Sequence, residues 1–201
     1  MILSDLDVSR ETLGRLEHYQ LLIEKWNPTI NLISKSSIRH LWDRHIWDSA
    51  QIYRYAGERP NWMDIGSGGG LPGVVVAILA KQGDPQRHVT MVESDVRKSV
   101  FLKTVIRELD LPASVVVGRI EKIAPADCDI LTARALADLH QLLHFVDRHL
   151  KPSGRAIFLK GESWEEEVAA ARKAWSFDLR IHKSITNPKA AILEVKDIQV
   201  A

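Results

Sequence analysis

The stretch Asp64-Ile65-Gly66-Ser67-Gly68-Gly69-Gly70-Leu71-Pro72-Gly73 puts four glycines within five residues. Glycine reaches positive φ without strain and lets a backbone approach a ligand closely. An apolar strand-like run precedes the loop at 62–65 and a helix-like run follows at 72–82. The glycines therefore stand where a strand hands over to a helix whose first N–H groups are free to meet an anion or a polar ligand. A nucleotide-like ligand held at the carboxyl end of a strand in an open α/β sheet is the expectation.

The rest of the chain fits that frame. Strands are predicted near 62–65, 88–93, 114–118, 128–132 and 155–160, with helices near 72–82, 95–109, 138–149 and 163–175 between them. Such alternation implies a parallel α/β sheet. Residues 177–184 and 190–196, joined by Thr186-Asn187-Pro188-Lys189, read as a closing antiparallel hairpin. The first sixty residues look helical. Ser9 is an N-cap, and Leu13, Leu16, Tyr19 (or Gln20), Ile23 and Trp26 follow at three- and four-residue spacing until Asn27-Pro28 is expected to stop the helix. A second helix is expected from Ser36 or Ser37 to Ile52, and Trp42 and Trp47 are assigned to the core. The resulting division is a helical extension over 1–60 and a ligand-binding domain over 61–201.

Register decides which nucleotide-like ligand is favoured. Gly68, Gly70 and Gly73 match the dinucleotide pattern G-x-G-x-x-G, but the strand ends at Ile65, so Gly66-x-Gly68-x-Gly70 preceded by Asp64 is the natural unit. The tyrosines Tyr19, Tyr53 and Tyr55 all precede the sheet, so the Tyr-x-x-x-Lys pair of short-chain reductases is missing. Glu93 ends the second strand, where a carboxylate can accept from the two hydroxyls of a ribose. Arg119, Ile120 and Glu121 follow the third strand and Arg134 the fourth. Ile65 stands where the first glycine of a nucleophile elbow is needed, and no Walker lysine or H-E-x-x-H is present. His40 and His45 are five residues apart, poor spacing for a shared metal, and no metal is expected.

Asp64–Gly73 resembles motif I of class I S-adenosylmethionine-dependent methyltransferases, and in particular the bacterial rRNA small subunit methyltransferase G (GidB) family. The similarity extends to Asn31–Ser34 and His40–Ser49 upstream, and to Lys98, Phe101–Lys103, Gly118–Glu121, Arg134–Ala137 and Leu159–Gly161 downstream. It implies the class I (Rossmann-like) fold, a mostly parallel sheet with the C-terminal hairpin and N-terminal helical extension. It also implies methyl transfer from S-adenosyl-L-methionine, leaving S-adenosyl-L-homocysteine, to N7 of one guanosine in a 16S rRNA loop near the decoding centre. Carried over residue by residue, the donor would lie against Asp64, Gly66, Gly68, Gly70, Leu71, Glu93, Ile120, Glu121 and Arg134. Arg134 would position the reactants, with no general base. Lys35, Arg39, Arg44, His45, Arg119 and Lys160 are the candidates for touching RNA.

Charge gives little help with the partner. Lys plus Arg number 27 against 26 Asp plus Glu, so no global field draws the chain to nucleic acid. One cysteine, Cys128, excludes a disulfide framework and a cysteine-based zinc site. Asp5 and Asp7 stand where a secretory leader would be basic, and the run Leu71–Ala80 is too short to cross a bilayer, so a cytoplasmic protein without membrane contact is expected. The expected partner is 16S rRNA or the small ribosomal subunit, with the enzyme acting as a monomer. The alternatives are a methyltransferase of the same fold acting on another RNA, a protein or a small molecule, and a non-catalytic module that binds the donor without turnover.

Overall fold

A computed structural model describes residues 8–201, so Asp5 and Asp7 lie outside the described residues. The chain forms helix α1 (Arg10–Ile30), a run of helical turns over Lys35–Tyr55, and strand β1 (Asn61–Ile65). Helix α3 (Gly73–Gly83), β2 (His88–Glu93), α4 (Val96–Leu109) and β3 (Ala113–Val117) follow. Then come β4 (Cys128–Arg134), α5 (Leu139–His149), β5 (Leu150–Lys160), α6 (Trp164–Ala171), β6 (Trp175–Lys183) and β7 (Ala191–Val200). Within the early turns, α2 is the short piece Trp47–Ala50.

Seven strands form one sheet in the order β3-β2-β1-β4-β5-β7-β6. The first five in that order pair in parallel. β7 runs antiparallel between β5 and β6, which is the closing hairpin expected from the turn at 186–189. The order reverses between β1 and β4, and both strands end at the same edge of the sheet, so a crevice opens there at the switch point.

Side chains alternate between two apolar layers, one on each face. Trp62, Ile130, Ile157 and Ile192 join the layer under α1, α3 and α4, while Met63, Leu131, Phe158 and Leu193 join the layer under α5, α6 and the hairpin. That period of two is the pleat of each strand. Helix α3 is apolar on all sides, with Val74 through Ala80 all buried. Such a helix needs a cover, and the stripe Leu16, Tyr19, Ile23 and Ile30 of α1 belongs to the same apolar cluster. Removing a side chain such as Leu16 or Ile23 from water stabilises by roughly 1.5–3 kcal/mol.

Two expectations for the first sixty residues change. Helix α1 continues through Pro28 to Ile30 and stops at Asn31 in the left-handed region (φ +51). A proline this near the end removes one intrahelical bond, and the Asn27 carboxamide oxygen accepts from Ile33 N at 2.9 Å to fix the exit. The second helix is not regular. It passes from a 3-10 turn (Lys35–His40) through a π turn (Trp42–Ile46) to α2 and a further 3-10 turn (Gln51–Tyr55). The π turn brings Leu41 and Ile46, five residues apart, into the same core. Trp42 and Trp47 are half-buried and lean on each other with ring centroids 5.7 Å apart, and Trp42 packs against the core as expected.

Candidate functional site

The chain leaves β1 at Ile65 and turns through Gly66 (φ +64), Gly68 (φ +54) and Gly70 (φ +89). All three lie in the region that favours glycine. The space around them differs. A Cβ on Gly66 would stand 2.6 Å from Leu136 Cδ1, and one on Gly70 would collide with Val74 Cγ2. A Cβ on Gly68 would meet nothing nearer than the Gly66 carbonyl oxygen at 3.8 Å. The loop is therefore packed from beneath and open above Gly68.

Several hydrogen bonds hold that shape. Tyr19 Oη donates to the Gly69 carbonyl at 2.6 Å. Glu93 Oε2 accepts from Gly68 N and Oε1 from Asp95 N, both at 2.7 Å. Asp64 is completely buried. Its Oδ1 accepts from Thr132 Oγ1 at 2.9 Å and its Oδ2 from Gly73 N at 3.3 Å, pinning the start of α3 to β1 and β4. Burial pushes the Asp64 carboxyl up to about 6, with the hydroxyls of Ser67 and Thr132 opposing that rise. At neutral pH it is a carboxylate, able to accept from both donors.

Beyond β4 lies a second feature, a cavity of about 1190 Å³ lined by Arg44, His45, Asp48, Arg134, Leu136 and Thr186 among others. Leu136 lines it and also packs on Gly66, so cavity and glycine loop are neighbours. Arg134 Nη1 stands 2.8 Å from His45 Nδ1 and 3.9 Å from Asp48 Oδ2. A guanidinium only donates, so His45 Nδ1 is the acceptor and Nε2 carries the imidazole proton. Burial, then the charges of Arg134 and Arg44, lower the His45 pKa to about 4.

Residues 12–195 match the family model described as rRNA small subunit methyltransferase G. The chain belongs to that family. A ribosomal RNA small subunit methyltransferase G from Ruegeria sp. (strain TM1040) is 50% identical over 195 residues, covering 97% of this chain and 95% of the relative. The protein of the same name from Paracoccus denitrificans (strain Pd 1222) is 50% identical over 198 residues, covering 98% of this chain and all of the relative. Among solved structures, a SAM dependent methyltransferase from Aquifex aeolicus superposes with a TM-score of 0.59 at 14% identity, over 81% of this chain and 97% of that one. The tRNA (uracil-54, C5)-methyltransferase of Pyrococcus abyssi, in complex with S-adenosyl-L-homocysteine, gives 0.55 at 15% identity, over 77% and 38%. At such identities the structural likeness establishes the class I methyltransferase fold.

Within this chain, Gly66, Gly68, Gly70, Glu93 and Arg134 gather along the carboxyl edge of β1, β2 and β4. Leu71 is buried in the core, and its backbone N–H donates to the Ser67 carbonyl at 3.3 Å. Ile120 is buried and Glu121 exposed in the turn after β3. Two placements differ from expectation. Asp64 bonds to the protein's own loop and has no exposed surface with which to touch a donor. Lys160 is buried too, and its ammonium is held by Glu167 at 2.5 Å and by the Ala137 carbonyl at 2.7 Å, so a phosphate would have to displace Glu167. Lys35, Arg39, Arg44 and Arg119 are exposed, and among the described residues none of them forms an ion pair. Three contributors went unread in the sequence. Tyr19 stands in the apolar stripe of the first helix, Thr132 at the end of the fourth strand and Asp48 within the His40–Ser49 signature, and none of them is marked there as a site residue. Their partners lie 50 to 138 positions away, where no local pattern could show them.

Proposed function

We propose that this chain transfers a methyl group from S-adenosyl-L-methionine to N7 of one guanosine in 16S rRNA, releasing S-adenosyl-L-homocysteine. The observation that carries the reading is the loop over Gly66–Gly70, open above Gly68 and tied to the Glu93 carboxylate, in a chain half identical to proteins named ribosomal RNA small subunit methyltransferase G. The open space at Gly68 fits a ligand pressed against backbone, and each Glu93 oxygen, holding one backbone donor, keeps capacity for a ribose hydroxyl. Gly66, Gly68, Gly70, Leu71, Ile120, Glu121 and Arg134 would hold the donor, with Asp64 acting through the loop it braces. When bound, the donor supplies an electrophilic methyl carbon on a sulfonium.

Guanine N7 carries an in-plane lone pair, so forming the N–C bond while the C–S bond breaks toward sulfur requires no proton to be removed. The protein's part is alignment at near-attack distance. That suits a site whose imidazole is held neutral and whose arginine is fixed between His45 and Asp48. Arg134 is the positioning group, and Lys35, Arg39, Arg44 and Arg119 are free to meet phosphates. The substrate is naked 16S rRNA or the assembled small subunit, met in the cytoplasm by a monomer. Among the described residues no helix is long and apolar enough to cross a membrane. Of the helical extension assigned to 1–60, Arg44, His45 and Asp48 line the cavity beside the donor-binding domain assigned to 61–201.

Incubation with labelled donor and 16S rRNA, naked and in subunits, tests this reading. N7 methylation leaves a cationic purine, so borohydride followed by aniline should cut the labelled RNA at one place. Label on a ribose hydroxyl, an exocyclic amine or a protein would overturn the guanine-N7 assignment.

A further inference from the structure

The cavity beside the glycine loop contains four carboxylates, Asp48, Asp138, Glu162 and Glu167. Three are committed elsewhere. Asp138 Oδ1 caps α5 by accepting from Gln141 N at 2.8 Å, and the residue is exposed. Glu162 pairs with Lys189 at the surface. Glu167 accepts from Lys160 and Leu139 N through Oε2 and from Ser163 through Oε1.

Asp48 differs from these three. Its Oδ1 is filled by Thr186 Oγ1 at 2.7 Å and Gln51 Nε2 at 2.8 Å. These two donors fix the plane of the carboxylate. Gln51 reinforces them by accepting from Ile185 N at 3.1 Å, so the β6–β7 turn is tied to the helical extension at this point. Among the described residues Oδ2 forms no hydrogen bond, and Arg134 Nη1 stands 3.9 Å away, longer than a hydrogen bond. With its side chain 18% exposed in the cavity wall, Asp48 presents one oriented, negatively charged oxygen with two lone-pair sites to spare.

We propose that Asp48 is the specificity-determining residue for the acceptor base, reading guanine through Oδ2 by accepting from its N1–H and N2–H groups. This rests on the guanine-N7 reading above and adds the group that selects the base. Extruded bases are commonly read on the Watson–Crick edge by enzymes that modify them. That edge of guanine carries two adjacent donors and the O6 acceptor, which matches a carboxylate oxygen next to a guanidinium with donors in excess. Adenine, with an acceptor at N1, would set a lone pair against Oδ2. N7 lies on the opposite side of the ring and stays free for the methyl group. The Thr186 and Gln51 bonds then have a purpose, since a carboxylate that could rotate would discriminate poorly.

The test replaces the target guanosine with inosine, which lacks the N2 amine and keeps N1–H, O6 and N7. Methyl transfer is measured on 16S rRNA ligated to carry either nucleoside, naked and assembled into subunits, for the wild type and for Asp48→Asn. A hydrogen bond to a charged acceptor carries enough energy for the wild type to prefer guanosine by about tenfold or more in kcat/KM. Asp48→Asn should lower kcat/KM for guanosine and shrink that preference toward one. A wild type that methylates both RNAs equally well overturns the proposal, even if the variant does not fold. So does a variant that slows both substrates by the same factor, which is what a purely structural role predicts. Failure of the N7 reading shows separately, as an aniline cleavage that is absent from the wild-type guanosine product.

Discussion

Tyr19 Oη donates a 2.6 Å hydrogen bond to the carbonyl oxygen of Gly69, joining the middle of the first helix to the glycine loop across fifty positions of chain. The phenol is completely buried, and burial raises its pKa far above the usual value, so it remains a donor at any working pH. Helix α1 is thus more than a cover for α3. It sets the height of the loop on which the donor would lie.

Tyr19→Phe keeps the ring and removes that donor, leaving the Gly69 carbonyl buried and unpaired. A loss of about 1 kcal/mol in unfolding free energy is expected from the hydrogen bond. Affinity for S-adenosylmethionine should fall as well, because the loop is no longer held at Gly69. Denaturant unfolding and calorimetry on the variant check both effects. Unchanged donor affinity would show that the bond serves stability alone.

The glycines divide into two kinds, and substitution separates them. Gly70→Ala drives a methyl into Val74, Leu102 and the Tyr19 hydroxyl while holding a φ of +89, so it should destabilise the fold by about 1–3 kcal/mol. Gly68→Val meets open space, with its own strain at φ +54 of about 1–2 kcal/mol. It should fold and lose the donor. A folded Gly68→Val variant that binds S-adenosylmethionine as tightly as the wild type would place the donor elsewhere.

How far the sequence anticipates this depends on the range of the interaction. The strand–helix order is legible because its signals are local. Asp95 and Asp138 cap α4 and α5 by accepting from backbone amides two and three residues ahead, and the glycines mark the loop. The path over Lys35–Tyr55 is not legible, because a π turn changes the helical period and no residue announces it. Lys160 reads as a free cation because Glu167, the partner that buries it, lies on the next helix. Asp48 lies in the His40–Ser49 signature, but the setting of its carboxylate is not legible until the hairpin brings Thr186 to it.

The pH dependence of stability carries the mark of His45. Its folded pKa of about 4 lies below the ordinary 6.5. Between those values the unfolded chain binds a proton that the folded chain refuses. The His45 contribution is therefore fully present above pH 6.5 and is lost as pH falls toward 4. Asp64, raised from 3.8 to about 6, acts in the opposite sense over an overlapping window. Comparing the wild type with His45→Asn isolates the histidine. The stability difference between the two should shift against the wild type as pH drops from 6.5 to 4. Titration of the imidazole by NMR should give a native midpoint near 4, and a midpoint above 6 would contradict the buried, neutral ring.

The last expectation concerns RNA. Lys35, Arg39 and Arg44 are exposed on the turns before α2, and Arg44 reaches the rim of the cavity. With none of them in an ion pair among the described residues, their removal should cost little stability. If they neutralise phosphates, each contact releases counterions and contributes about 0.7 to the slope of log affinity against log salt for single-stranded RNA. The triple alanine variant should therefore bind 16S rRNA more weakly at low salt, with a slope shallower by about 2. Donor affinity should be untouched, because the donor loop lies beyond Leu136. A variant whose RNA affinity and salt slope match the wild type would remove these turns from the interface and leave Arg119, on the far side of the crevice after β3, as the exposed cation to examine.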